Sequence, residues 1–589
     1  MDIKFNKRFE WKDLPDMDTM RKEVDAAAKD ITIGETLFFK EFGVKSENEY
    51  KLKCMMNGEL TKHSHVGWNS WDETAKNIEF IYNELKKRGS HITRFGFICD
   101  WVMGVPAEHR HKLPKGTGLC LETPEEWAAL GQVVPVQPHL SDHMIGCPNA
   151  WENTVYGLKA GATSIGNVSH YFTYEYPGVD LEYDRTWNSM KAFYLMGKFE
   201  GTVVHSNIDD GFGNQFTDLA SITGWAIMER YIVEELLGAR LSHAYGNLFS
   251  DPMGRIIMHN TMHRLNKYNT PGTMIFGNTV DYGLDIEHNF GALSSFSLAD
   301  AIFQRHCPTG HSVASVPVTE AIRVPTAQEI VDGHLCVDMM IEKSTFIEPY
   351  IDWAKVEAET DVYLAAGNLF FERMMEGLDN LGVDVEHPGQ MMAALKAIGP
   401  KQLEDNFGVG VREKDGLRER IPVRPTDMNK TLINKKTVAL ERIGDLEKRL
   451  DGKKVIVGAT DIHDYGKEVI KTIVAKAGAT VFDLGNYVTP DELIETVIET
   501  EAKVMIISTY NGIALSYAKE TVEKIKNAGL DVKLVMGGLI NENLDGGSLA
   551  EDVTVQVEAL GVNCDNNMDL TINIIEKIYS EVSTDRKIG

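Results

Sequence analysis

The segment GATDIHDYGKEVI, residues 458–470, sets Asp461, His463 and Gly466 in the spacing D-x-H-x-x-G directly after the apolar run KKVIVGA (453–459). An apolar run that ends in polar residues and turns into a helix reads as one strand of an open parallel sheet. Ligands of such sheets bind in the crevice at the carboxyl ends of the strands, so His463 stands where a large flat cofactor can be met. Two further groups keep the same phase. From Gly466, 41 residues intervene before Ser508-Thr509-Tyr510, and 26 more follow Tyr510 before Gly537-Gly538. Each group falls at the end of a predicted strand.

A second set of polar side chains occupies equivalent places in the first half. Eight short β-rich phrases end in polar residues, at 61–68, 91–100, 133–140, 162–167, 202–207, 239–247, 273–278 and 312–320. Their ends carry His65, His139, Asn167, His205, Asn207, His243, Asn247, Asn278 and Glu320. Between them lie stretches such as WDETAKNIEFIYNELKKRG, where apolar residues recur at three- and four-residue steps, as a helix requires. Eight strand-then-helix units predict a closed (β/α)8 barrel, whose active sites sit at the carboxyl ends of the strands. His63, His143 and His170 read as structural or loop residues.

The elements around these groups suggest four segments: a helical extension over 1–60, a (β/α)8 barrel with a helical tail over 61–405, a linker and charged helix over 406–450, and a smaller domain over 451–589. The last domain alternates strands at 453–459, 479–485, 502–508, 532–538 and 553–559 with helical segments, which predicts a flavodoxin-like, doubly wound parallel sheet. The fold class is α/β throughout. With 589 residues, the chain is long enough for a large barrel and a second domain. A formal net charge of -27 excludes nucleic acid and anionic membrane surfaces as expected partners, because binding to phosphate needs Lys and Arg. Seven scattered cysteines without a C-x-x-C pair point to reduced thiols and a cytoplasmic location. No run approaches the roughly 20 apolar residues of a membrane span.

The three groups Asp461-His463-Gly466, Ser508-Tyr510 and Gly537-Gly538 resemble the cobalamin-binding domain, whose pattern is D-x-H-x-x-G, S-x-L and G-G; Tyr510 replaces the Leu. The resemblance implies that His463 is the lower axial ligand of cobalt, replacing the cofactor's own dimethylbenzimidazole. Asp461 would accept the other imidazole N–H and fix its tautomer. Gly466 would permit close backbone approach, Ser508 would contact the displaced benzimidazole, and Gly537 and Gly538 would leave room for it. TEAIRVPTAQEIVDG (319–333) and, more loosely, KAGATSIGN and VVHSNIDDGFGN resemble stretches of the barrel subunit of glutamate mutase. Barrel and cobalamin domain in one chain resemble the adenosylcobalamin-dependent carbon-skeleton mutases of the glutamate mutase and 2-methyleneglutarate mutase group.

That resemblance implies an isomerase using adenosylcobalamin. Homolysis of the cobalt–carbon bond would generate a radical that takes a substrate hydrogen, and a group would migrate before the hydrogen returns. Glu320 would lie near the adenosyl group, and Asp209 or Asp210 near the substrate. The expected substrate is a small carboxylic acid and the expected assembly a homodimer or larger homo-oligomer. The arginine clamp of glutamate mutase is not matched: those places hold His65, a Phe-Gly stretch after Arg94, and His139. Arg94 reads either as a carboxylate anchor, with Arg110 and the histidines, or as a structural ion-pair partner inside the second strand. A corrinoid methyltransferase and a non-catalytic cobalamin-binding regulator are the alternatives. A methyl carrier is expected to have a helical bundle directly before its cobalamin domain, where this sequence offers one charged helix.

Overall fold

The computed structural model describes residues 3, 14, 16–113, 115–176, 181–414, 417–443, 446, 448–460, 465–486, 488–509, 512–542, 551–565 and 570–585. The chain divides into two compact units, residues 1–427 and 428–589.

In the first unit eight parallel strands follow one another: β1 (Lys62–Val66), β2 (Arg94–Phe97), β3 (Gln137–Leu140), β4 (Ser164–Gly166), β5 (Val203–Asn207), β6 (Leu241–Ala244), β7 (Met274–Ile275) and β8 (Ser312–Ala314). They pair in the order β6-β5-β4-β3-β2-β1-β8-β7. One residue past β6 and β7, the Phe276 N–H donates to the Tyr245 carbonyl at 2.9 Å, which closes the seam. The ring is a (β/α)8 barrel, and every expected strand phrase falls on one of its strands. The helices between them form where the sequence caps them. Ser70 accepts the Glu73 N–H at the start of helix 71–87, whose buried Ile78, Ile81 and Leu85 share one face.

The amino-terminal end of the barrel is plugged by the helix Glu47–Asn57. Its Lys51 donates to the carbonyls of Gly272 and Thr273 at 2.6 and 2.8 Å and pairs with Glu47 at 2.8 Å. Arg94, at the start of β2, donates to the Thr273 carbonyl at 2.5 Å and lies 3.3 Å from Glu47. Burial alone would raise the Glu47 carboxyl, but Arg94 and Lys51 overcome it and hold it below its ordinary range. Above this plug the rings of His65, His63, His139 and His205 follow one another at 4.4, 6.0 and 4.8 Å. Gly96 makes room for them, since a Cβ there would lie 2.5 Å from the His63 ring and 2.8 Å from that of His65.

After the barrel come helices Ala327–Ile347, Trp353–Asn380, Pro388–Ile398 and Pro400–Phe407, then an antiparallel hairpin of β9 (Val411–Lys414) and β10 (Leu417–Arg420). The stretch read from its composition as linker runs back over the barrel unit. The Val423 and Arg424 N–H groups donate to the Asp218 carboxylate at 2.6 and 3.0 Å, and Thr426 N–H donates to the Thr217 carbonyl.

The second unit contains β11 (Lys454–Ala459), β12 (Thr480–Gly485), β13 (Val504–Thr509), β14 (Lys533–Gly538), the short antiparallel pair β15 (Asn541–Glu542) and β16 (Glu551–Asp552), and β17 (Asn563–Cys564). The parallel sheet runs β12-β11-β13-β14-β17. Successive strand residues feed two cores, Ile456, Met505 and Leu534 on one face, Val455, Val504 and Val535 on the other. Such two-sided burial is what a parallel sheet demands. One expected strand is corrected: 553–559 contains the helix Thr554–Glu558, and the fifth strand is 563–564. Among the described residues no helix is long and apolar enough to cross a membrane.

Replacing Arg94 by Met leaves Glu47 buried beside Lys51 alone and is expected to destabilise the first unit by about 3 kcal/mol, the cost of breaking a buried pair. Urea unfolding of Arg94→Met and of Glu47→Leu/Arg94→Met checks this, the double variant recovering part of the loss.

Candidate functional site

The carboxyl ends of the barrel strands surround a cavity of about 420 Å3 lined by His65, Trp68, Asp100, Trp101, His143 and Glu320 among others. Water reaches Glu320, yet the surrounding protein mass pushes its carboxyl up to about 7. His65 is pushed down to about 4 by burial, with Asp142 opposing the shift, so it stands there as a neutral imidazole.

Beside the cavity, Asp142 Oδ1, His170 Nε2 and Asp210 Oδ2 lie within 4.8 Å of one another. Asn167 and Asn207 each donate a side-chain N–H to Asp210 Oδ2 at 2.8 Å. Asn167 Oδ1 accepts the Asn207 N–H at 2.8 Å, so one amide ties β4 to β5 and to the acid. Burial, then the neighbouring Asp142 and Asp209, raise Asp210 well above the usual carboxylate range. Asp209 faces the other way, accepting the Gly246 and Asn247 N–H groups at 2.6 and 2.7 Å. Burial pushes it up to about 7, and its Oδ1 has no partner. The histidine rings of His143 and His170 stack at 4.6 Å, with Tyr174 against both.

The structure thus brings His65, Asn167, Asp210 and Glu320 to the mouth, turns Asp209 away, and removes five other candidates. His139 and His205 lie one level down inside the barrel, wholly buried: His139 Nδ1–H donates to the Ser164 carbonyl at 3.0 Å, and His205 Nδ1 lies 2.9 Å from Thr273 Oγ1. His243 points outward into the helix layer, where Nε2–H donates to Glu229 at 3.0 Å. The same carboxylate accepts Ser206 Oγ–H and Trp225 Nε1–H. Neighbouring residues on a strand face opposite ways, so His243 is directed away from the lumen while Ser242 reaches Thr273 within it. Arg94 is spent on the plug, at the wrong end of the barrel to hold a substrate carboxylate. Arg110 is folded onto its own loop, donating to the Val105 and Met103 carbonyls at 2.7 and 3.2 Å.

The sequence reading missed Asp142, Asp100 and the two tryptophans, and placed His143 and His170 among structural residues. The signal was present in LSDHM, where an acid–histidine pair follows β3 within three residues.

In the second unit the chain leaves β11 toward β12 and then crosses back to β13 on the other side. The loops after β11 and β13 therefore part at a topological switch point. Ala459, Ser508 and Gly537 stand abreast in the register of the three adjoining strands. A Cβ on Gly537 would lie 2.7 Å from the Asp565 carbonyl, and one on Gly538, at φ +92°, would lie 2.4 Å from the Thr509 carbonyl. No side chain fits either place, and the crevice keeps a flat backbone floor. Ile513 and Leu539 on the loops beyond are 38% and 46% exposed, apolar faces suited to a flat macrocycle. Asn486 Oδ1 just past β12, Thr509 Oγ1 at the last residue of β13 and Asn541 Oδ1 at the start of β15 are buried without a partner, places for polar groups on a ligand. Gly466 sits in the first turn of helix Tyr465–Lys476. Asp461, His463 and Tyr510 lie outside the described residues.

This floor, its apolar rim and its orphaned oxygens fit a corrin ring, and comparison with known proteins agrees. Residues 454–577 match the family model of the B12 binding domain. The second unit is a cobalamin-binding one. The "Dimethylamine corrinoid protein 3" of Methanosarcina acetivorans is 36% identical over 89 residues, 14% of this chain and 42% of that relative. The "Glutamate mutase sigma subunit" of Carboxydothermus hydrogenoformans is 33% identical over 84 residues, 14% of this chain and 61% of that relative. The chain thus spans less than two thirds of each relative. A solved structure of a "novel cobalamin-binding protein" from Desulfitobacterium hafniense DCB-2 superposes at TM-score 0.19 and 15% identity, covering 50% of this chain and 99% of that one, too weakly to bear on the architecture.

Two outcomes are expected. Gly537→Leu fills the crevice floor and lowers the cobalamin retained after desalting, read from its visible absorbance, by at least about tenfold, or 1.4 kcal/mol of binding. Asp209, whose folded value of about 7 lies above the 3.8 of a free carboxyl, keeps a proton in the native state that the unfolded chain releases. Native stability therefore falls as pH rises from about 4 to about 7, and Asp209→Asn flattens that slope in urea titrations.

Proposed function

We propose that the protein is an adenosylcobalamin-dependent mutase that rearranges the carbon skeleton of a small substrate held in the barrel mouth. The carrying observation is that one chain contains a plugged, closed (β/α)8 barrel with a deep mouth cavity and a cobalamin-binding unit. Among the described residues, one helix, Asp427–Ile443, stands between the β9–β10 hairpin and β11, where a methyl carrier is expected to have a bundle. Adenosylcobalamin, when bound, supplies a carbon-centred radical.

The chain's residues would position and shield. His463 would stand under the cofactor, Ser508 beside its displaced base and Gly537 and Gly538 beneath it. At the barrel mouth Trp68 and Trp101 wall the cavity against water, Asn167 and Asn207 fix Asp210, and Glu320 carries a proton near neutral pH. A neutral Glu320 donates a hydrogen bond without bringing a charge to neutral radical chemistry.

The dimethylamine corrinoid proteins among the relatives favour a second reading, methyl transfer, since they match the cobalamin unit as well as the mutase subunit does. Loading the full chain with adenosylcobalamin and screening small acids and amines separates the two. The mutase reading expects a radical signal in electron spin resonance and a rearranged product, with Glu320→Leu lowering the rate by about 10²-fold, as loss of a positioned hydrogen-bond donor does, and Glu320→Gln lowering it less. Demethylation of methylcobalamin by an acceptor, without a radical signal in that screen, would overturn it.

A further inference from the structure

The mouth of the barrel is short of positive charge. Asp100, Asp142, Asp210 and Glu320 gather there, and among the described residues no Lys or Arg lies within ion-pair distance of any of them; only His170 approaches, at 3.8 Å from Asp142 and 4.0 Å from Asp210. The arginines that could have served are taken. Arg94 is in the plug, Arg110 is on its loop carbonyls, and Arg323, which lines the cavity, is held by both oxygens of Glu329 at 2.9 and 2.5 Å.

Asp142 Oδ1, His170 Nε2 and Asp210 Oδ2 leave a gap between them: all within 4.8 Å, none hydrogen-bonded to another. A further acceptor is present. The Asn207 amide gives its N–H to Asp210, while its Oδ1, in a side chain only 6% exposed, is buried with no partner. Aromatic rings adjoin, His143 at 4.6 Å from His170 and Tyr174 at 4.5 Å from His143. Carboxylates, a bare amide oxygen and ring faces are the surroundings that stabilise an organic cation and repel a carboxylate.

A bare metal ion fits less well. His170 Nδ1 accepts the His143 backbone N–H at 3.4 Å, which leaves the hydrogen on Nε2, the atom a metal would need.

We infer that the barrel mouth binds the ammonium group of a small organic amine, gripped between Asp142 and Asp210 with the Asn207 oxygen, and that the substrate class is cationic and not a dicarboxylate. This deepens the mutase reading and rests on it only for the chemistry after binding.

Binding is measured by calorimetry on the cobalamin-loaded full chain with n-butylammonium, tetramethylammonium, glutarate and zinc chloride as probes, the corrinoid content of each sample being read by absorbance. The expected result is saturable binding of n-butylammonium, no binding of glutarate, and a loss of at least about tenfold in Asp142→Asn and in Asp210→Asn. Should these variants fail to fold, Asn207→Ala is expected to weaken the same probe several-fold. Binding of tetramethylammonium as tight as that of n-butylammonium would overturn the hydrogen-bonded grip. Glutarate binding, stoichiometric zinc lost in His170→Ala, or n-butylammonium affinity unchanged in all three variants would overturn the cation site. Because binding is read without turnover, amine binding with no radical signal would fail the mutase reading alone.

Discussion

A parallel strand must be covered on both faces, so groups that need water or a ligand have only its ends to occupy. In this chain that constraint acts twice. The barrel buries its amino-terminal end under Glu47, Lys51 and Arg94, which leaves the opposite rim as the place where Asp142, Asn167, Asp210 and Glu320 can meet a substrate. The smaller sheet buries every residue from Val504 to Thr509, and β11, β13 and β14 end abreast at the crevice.

The two rims are built differently. The barrel mouth is polar and crowded with acids, its shape maintained by side-chain amides that bridge strands. The sheet rim is bare, its character set by what is missing: two glycines where a Cβ would strike carbonyl oxygens, and apolar side chains left uncovered. A crowded acidic mouth suits recognition of a small charged molecule, and a flat floor with orphaned oxygens suits a macrocycle with polar arms.

The eight barrel strands and four of the five sheet strands were legible in the sequence because each couples an apolar run to a polar end. VTVQVEA misled because its alternation suits a strand. Asp552 accepts the Thr554 N–H and starts a short helix there, burying Val553 and Val557 four residues apart and leaving Val555 exposed. The site was legible as a set of strand ends but not as a set of directions. His243 and Ser242 differ by one residue, and only the register tells which faces the lumen. Arg94 lies at the first residue of β2, a whole strand length from the rim, a distinction that composition does not carry. Asp142 comes from the loop after β3 and His170 from the short helix Ser169–Thr173 after β4, and no spacing in the sequence announces their meeting.

The central claim is that a protein imidazole, His463, takes the place of the cofactor's own base under cobalt. It is tested most directly by electron spin resonance of the full chain carrying cob(II)alamin, prepared with histidine labelled with nitrogen-15. The account expects the splitting from the axial nitrogen to change multiplicity on labelling. An unchanged splitting, as the cofactor's own benzimidazole nitrogen would give, would contradict it.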